Sequence, residues 1–324
     1  MLSLIKRTLS KLKDGHKSKP ISLLEIIKTQ SHPMYDAHEF NDAFCEMIKT
    51  GMALNASFLY DAFIFNKFRR PLTQYYNKTP ETIIQIGPGG SLGCEVLFSL
   101  TGIKNVCSLD PYPLPYFDLD NFFQFLQKSF EMIKLFEGIN KFDTAPLKIP
   151  ESETLGNDKY RIGKNTIHHL TNRMFENTGF EDESVDFLFS NAVLEHVRNP
   201  LESISETRRI LKKGGITSHQ IDLRDHRDFN RPLKFLNESE TSWEHIMNQY
   251  CANDPSIYMN RWRASQFLYA FNEEGFTILE FIPNMTATEE MIASEIPFLN
   301  EHFKKCSQDD LSTLSVFFVA QKVS

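Results

Sequence analysis

Thr82-Ile83-Ile84-Gln85-Ile86-Gly87-Pro88-Gly89-Gly90 runs an apolar pentapeptide straight into a glycine turn. A short apolar run rich in β-branched residues and closed by turn residues suits a buried strand. In the turn, absent side chains let backbone amides approach a ligand closely. Ser91 to Leu100 then reads as a helix and Lys104 to Leu109 as a second strand, so the block is a strand, turn, helix and strand. Asp110 follows, 23 residues after Gly87. An acid at that distance can hydrogen-bond both hydroxyls of a ribose. The expected ligand therefore carries a nucleoside, adenosine foremost.

Two ligand classes share this plan. A dinucleotide fingerprint wants glycine at the first, third and sixth positions, and here the sixth is Leu92. A hundred residues on, Val185 to Asn191 reads as another apolar strand, followed by Ala192-Val193-Leu194-Glu195-His196-Val197 and a helix. That helix has Asn199 as N-cap, Pro200 at its first position and Glu202 where a capping box needs it. Lys212 and Lys213 are expected in its last turn, Gly214 as a left-handed stop, and Leu201, Ile204, Arg208 and Leu211 on one face.

The run Gln85-Ile86-Gly87-Pro88-Gly89, with Val185 to Gly215 behind it, resembles class I S-adenosylmethionine-dependent methyltransferases over roughly Thr82 to Ile282. The resemblance implies a Rossmann-like seven-stranded α/β sheet with helices on both faces, occupying residues 81–324 and ending in an antiparallel hairpin. A helical extension over residues 1–80 would cover the cofactor, shape the acceptor entrance or simply pack. An insertion after the fifth strand, about residues 224–263, would form a lid. The implied cofactor is S-adenosyl-L-methionine, held by Gln85, Gly87, Pro88, Gly89, Gly90, Asp110 and Pro111, with Asn191 and Leu194 at the fourth strand. The family's acid near the adenine falls here at Met174 and Phe175, so apolar contact and backbone amides are expected instead. Gln85 also replaces an acid, and Ser91 displaces the third glycine.

Ligands in open α/β sheets bind outside the carboxyl ends of the strands. Gly214-Gly215 is followed by a strand and then His219-Gln220-Ile221-Asp222-Leu223-Arg224-Asp225-His226. That places His219 and Asp222 at the crevice and His226 in the loop above it. Histidine titrates near neutrality, so His219, His226 and Asp222 are the candidate catalytic groups. Glu195 and His196 line the site. Asp222, Asp225 and His226 are competent metal ligands by type, but their spacing does not establish convergence, and no metal site is expected. Arg261 or Arg263 can hold a phosphate or carboxylate, or be ordinary surface arginines, and Trp243 and Trp262 fall in the same lid region.

The expected activity is transfer of a methyl group to oxygen on a small-molecule or carbohydrate-like acceptor. The runs His-x-Ile-Asp-Leu-Arg-Asp-His and Asn-Arg-x-Arg are similar to those of methyltransferases from bacterial surface-carbohydrate pathways. Ser190-Asn191-Ala192-Val193 lacks the Asn-Pro-Pro-Tyr type of run associated with amide or base nitrogens. A cofactor-binding module without catalysis and an NAD-dependent oxidoreductase remain the alternatives.

A net charge of −7 opposes nonspecific nucleic-acid binding, which needs clustered cations. Five scattered cysteines suggest neither a disulfide framework nor a zinc site. No apolar run reaches membrane-spanning length and no cleavable leader is evident, so a cytoplasmic enzyme is expected. Residues 1–20 set six cations against Asp14, with Leu2, Ile5, Leu9 and Leu12 on one helical face. Such a helix either rests on the anionic inner membrane surface or docks on its own domain. Glu25 to Tyr76 reads as helical with breaks at Pro33 and Pro71, and Leu119 to Phe136 as an amphipathic helix.

Overall fold

The computed structural model describes residues 53–112, 117–120, 122, 152–154, 159–252 and 254–323. The readings of residues 1–20, of the break at Pro33 and of most of 119–136 lie outside them.

Helix α1, Ala53–Tyr75, leads into β1, Thr82–Ile86, then α2, Gly93–Leu100, and β2, Asn105–Asp110. Three strands follow, β3 at Ser152–Thr154, β4 at Lys159–Ile162 and β5 at Asn165–Thr171, and then β6 at Val185–Asn191. Helix α3, Pro200–Ile210, precedes β7, Leu211–Asp222. The rest is α4 at Glu240–Tyr250, α5 at Ala264–Glu273, β8 at Phe276–Thr286, α6 at Glu289–Glu295, α7 at Gln308–Ser312 and β9 at Thr313–Lys322.

The strands form one sheet in the order β3-β4-β5-β2-β1-β6-β7-β9-β8. From β5 to β7 all pairings are parallel, while β9 runs antiparallel to both β7 and β8. The seven strands from β5 to β8 are the expected methyltransferase sheet with its antiparallel hairpin. Nine strands replace the expected seven because β3 and β4 extend the β5 edge antiparallel. In β4, Tyr160 and Ile162 are buried while Arg161 faces out, the alternation of an antiparallel strand with one face on the core.

Both sheet faces are covered. On one, α1 and α2 pack Phe65, Phe68 and Phe98 over Phe187 and Phe189 of β6. Phe68 and Phe98 stand 4.7 and 5.3 Å from the Phe189 ring, within the range of favourable aromatic contact. On the other face, α3 and α5 bury Ile204, Phe267 and Phe271 against Leu188 and Phe318. A third apolar cluster joins the segment after β7 to the one between β8 and β9, through Leu236, Trp243, Met247, Leu299 and Phe303. These two segments therefore share a core of their own.

Three local expectations are corrected. Pro71 does not break α1, which runs on to Tyr75. Only one turn remains beyond it, and buried Phe68 and Leu72 hold the helix to the sheet on either side. Helix α3 starts as expected, with Asn199 accepting from the Glu202 amide, but ends at Ile210. Lys212 and Lys213 belong to β7, and Gly214 (φ +75°) bends that strand instead of ending a helix. Leu201 is exposed; the buried face of α3 is Ser203, Ile204, Thr207 and Ile210. Lys212 instead pairs with buried Asp186 at 2.9 Å, where Tyr76 and two backbone amides also donate.

Candidate active site at the strand ends

Strand order reverses between β1 and β6, and the crevice opens at their carboxyl ends. Gly87 (φ +66°) and Gly89 (φ +74°) adopt left-handed backbone, and the Gly87 amide donates to Leu109 O at 2.9 Å. A Cβ at Gly87 would stand 2.5 Å from Val193 Cγ2, whereas one at Gly89 would meet nothing within 4 Å. Gly87 thus lets β6's exit loop close on the turn, and Gly89 is the glycine that leaves space for a ligand. Pro88 is buried between them and Gly90 is exposed.

Gln85, 4% exposed, has no partner at Oε1. Asp110 is half-buried, accepts from the Tyr112 amide at 2.9 Å, and is raised in pKa by burial. Pro111 follows it, also half-buried. At Gly93, the first residue of α2, a Cβ would meet Asp61 Oδ2 of α1 and the Phe122 ring. Asp61 accepts from Ser91 Oγ at 2.7 Å, and Ser91 Oγ accepts from the Gly93 amide at 3.1 Å.

Met174 and Phe175 separate. Met174 is exposed and Phe175 is buried with Leu194 in the core beneath α3 and α5. Asn191 ends β6 and is gripped by α1: Lys67 Nζ donates to its Oδ1 at 3.0 Å, and its Nδ2 donates to Tyr60 Oη at 3.3 Å. Burial brings the Lys67 ammonium down to about 7, with Glu195 countering. Ala192 then turns left-handed at φ +55°, a strained conformation for a residue with a Cβ. Sequence reasoning missed Lys67; the available signal was a lone lysine among Phe63, Phe65 and Phe68.

His219 does not face the crevice. It lies inside β7 at 0% exposure, with Ser190 Oγ 2.7 Å from Nδ1 and Thr217 Oγ1 2.6 Å from Nε2. Rings of Phe271 and Phe318 flank it, and burial lowers its pKa to about 3. The count of residues after Gly215 placed it too near the strand end, because β7 continues to Asp222. A sealed, neutral imidazole held by two hydroxyls anchors the sheet.

Asp222 and His226 do meet at the mouth, with Nε2 3.5 Å from Oδ2. Asp222 is already forked by Arg224, at 2.8 and 2.6 Å. Asp225 repeats the pattern with Arg227, at 2.9 and 2.8 Å, and is 0% exposed, so it does not join Asp222 and His226 as a ligand. Arg224 and His226 hold the Asp222 carboxyl well below its usual range, although burial alone would raise it.

Two further groups complete the cluster. Glu195, 4% exposed, accepts from the Asp222 amide at 3.1 Å through Oε1, and burial pushes its carboxyl up to about 8. His196 donates from Nδ1 to Tyr258 O at 2.6 Å and stands 5.0 Å from the His226 ring; burial, then His226, bring it down to about 4. Asn260 staples this loop, its Nδ2 donating to Leu194 O at 2.6 Å and Val197 O at 3.0 Å.

Arg261 and Arg263 are not available to an anion. Arg261 donates to Phe235 O, Glu238 O and Glu240, and Arg263, 0% exposed, donates to Leu223 O, Asp310 O and Thr313 O. Trp243 donates to Met259 O at 2.8 Å. These side chains fasten the segment after β7; Trp262, half-buried, joins Glu195, Asp222, Phe235 and Met259 in lining a small pocket there.

Sheet order and the glycine turn at the end of β1 give a Rossmann-like fold, the one that the resemblance to class I methyltransferases implies. Residues 150–218, from β3 through most of β7, match the family model described as a methyltransferase domain. No curated protein matches the chain. Among solved structures it is similar to a putative methyltransferase from Bacillus halodurans C-125, at 16% identity over 79% of this chain and 99% of that one, TM-score 0.39. A putative methyltransferase of Haloferax volcanii, solved with its Trm112 activator, gives 16%, 88%, 98% and 0.42. A putative sarcosine dimethylglycine methyltransferase from Galdieria sulphuraria gives 13%, 83%, 87% and 0.44. Among the described residues, no helix is long and apolar enough to cross a membrane.

Proposed function

We propose that the protein is an S-adenosylmethionine-dependent methyltransferase acting on a hydroxyl of a small, carbohydrate-like acceptor. The observation that carries this reading is that two unlike groups of residues stand at the carboxyl ends of one parallel sheet. The open glycine turn and Asp110 lie at the ends of β1 and β2, and the cluster around Glu195, Asp222 and His226 lies beyond β6 and β7.

The residues at the first end fit the cofactor. Gln85 Oε1, buried and unpartnered, is a neutral acceptor for an ammonium group; Gly89 leaves room for the methionine portion, and Asp110 has acceptor capacity for ribose hydroxyls. When bound, the cofactor supplies an electrophilic methyl carbon on a sulfonium. The acceptor oxygen would take the methyl group as the methyl–sulfur bond breaks, the electron pair staying on sulfur. This chain's contribution is alignment, which can be worth about 7–11 kcal/mol, with the acceptor hydroxyl placed beside the cluster of Glu195, Asp222 and His226.

Calorimetry tests the assignment. S-adenosylhomocysteine is expected to bind and NAD is not; the reverse would overturn it in favour of an oxidoreductase. Binding of S-adenosylmethionine with no methyl transfer to any of a panel of sugars and small alcohols would instead favour a module without catalysis.

A further inference from the structure

Glu195 Oε2 is buried with no hydrogen-bond partner, and His226 Nε2 is buried with only a long 3.5 Å contact to Asp222 Oδ2. A buried polar atom left without a good hydrogen bond costs about 1–3 kcal/mol, and two so poorly satisfied in one cluster require an explanation. They also lie together: one ligand atom from each of Glu195, His196 and His226 falls within 4.8 Å of the others.

The three side chains are prepared as ligands. A backbone carbonyl only accepts, so the 2.6 Å contact to Tyr258 O fixes the proton of His196 on Nδ1 and leaves the Nε2 lone pair free. A histidine whose far nitrogen is held by a carbonyl is the usual arrangement behind a metal ligand. Glu195 is oriented in the same way, its Oε1 occupied by the Asp222 amide and its Oε2 free. Asn260 fixes the loop that carries both residues, through Leu194 O and Val197 O. Asp222 Oδ2 lies 3.5 Å from that same His226 Nε2 but is already paired with Arg224.

We propose that Glu195, His196 and His226 form a binding site for a divalent transition cation of the zinc class, at the acceptor end of the crevice. Two imidazoles and one carboxylate favour such an ion over magnesium or calcium, which prefer all-oxygen sets. Three protein ligands leave a coordination position open, as in catalytic sites. A ligand distance of about 2.0–2.2 Å sets ligand atoms about 3–4 Å apart, so closure requires about 1 Å of side-chain movement. An acceptor hydroxyl bound at the open position would lose its proton more readily. The site adds to the methyl-transfer reading without depending on it, because its test reads metal and not turnover.

Metal-free full-length protein is titrated with zinc, cobalt(II) and magnesium. One equivalent of zinc is expected to bind, cobalt is expected to give visible absorption of a four- or five-coordinate site, and magnesium is expected to compete poorly. Glu195→Gln and His226→Ala should each weaken zinc binding at least about tenfold, while His245→Ala and His302→Ala, at exposed histidines, leave it unchanged. Thermal melts of each variant separate loss of the site from loss of the fold. The proposal is overturned if wild-type protein binds no zinc, if Glu195→Gln and His226→Ala bind it normally while folded, or if magnesium binds more tightly.

Discussion

The two ends of the crevice are built in opposite ways. The turn end comes from one continuous stretch, Thr82 to Asp110, and works by omission: no Cβ at Gly89, an amide where an acid is usual at Gln85, and few charges. The mouth end draws Asn191 to His196, Asp222 to His226 and Tyr258 to Asn260 from three separated segments, and it works by crowding ionisable groups. A binding surface made of backbone needs only local chain geometry. A reactive one needs side chains brought from several places into a shared, partly dry environment, where their charges interact strongly.

The contrast predicts that damage at the mouth appears in turnover and damage at the turn appears in binding. His226→Ala is expected to reduce turnover at saturating substrates by about 100-fold or more, with S-adenosylhomocysteine affinity nearly unchanged. Normal turnover would remove His226 from the reaction and dissolve the distinction. His219→Ala is expected to do the reverse of what its place in the sequence suggests. It opens a cavity and strands the Ser190 and Thr217 hydroxyls, so unfolding free energy should fall by about 2–4 kcal/mol with turnover per folded molecule preserved. Chemical denaturation beside an activity assay checks both halves.

Asp110→Ala should weaken cofactor binding by about 1.5–3 kcal/mol, the scale of hydrogen bonds to a charged group, as read by calorimetry. At the turn itself, Gly87→Val is a poor probe because its side chain would strike Val193 before any ligand arrived. Gly89→Ala is the sharper one: the space around it is open, so the cost is about 1 kcal/mol of left-handed backbone strain plus whatever contact the cofactor loses. Affinity unaltered by that change would place the ligand elsewhere.

The smallest expected effect is a control remote from both ends. Burial alone would raise the Asp186 carboxyl, but Tyr76, the Thr82 and Glu81 amides and Lys212 outweigh it and hold it below its ordinary value. A lowered folded-state value means that the unfolded chain takes up the proton first. The stabilisation is therefore complete above about pH 4 and is lost as pH falls through the folded-state value. Asp186→Asn should flatten that acid limb of the melting temperature while cofactor affinity at neutral pH is unchanged.

Much of this molecule is written locally. The strands at Thr82 to Ile86 and Val185 to Asn191, and the Asn199 and Pro200 start of α3, are fixed by residues a few positions apart, because caps, turns and buried runs are short-range devices. The errors fell where the deciding contact was distant. Lys212 looked like the end of a helix until Asp186 claimed it from a neighbouring strand. His219 looked catalytic by type, yet β7 buries it between two hydroxyls and two phenylalanine rings. Arg261 and Arg263 looked like anion ligands, and their donors go to carbonyls of other segments.

By itself, then, the sequence determined the order of elements, the parallel sheet and the glycine turn with its acid, since each follows from periodicity, missing side chains and spacing within some thirty residues. Only the tertiary structure decided which histidine reaches the crevice, which carboxylates are already paired, and that Glu195, His196 and His226 share one space. Burial and partnership depend on what packs against a residue from elsewhere in the chain, and no residue type or local spacing encodes that.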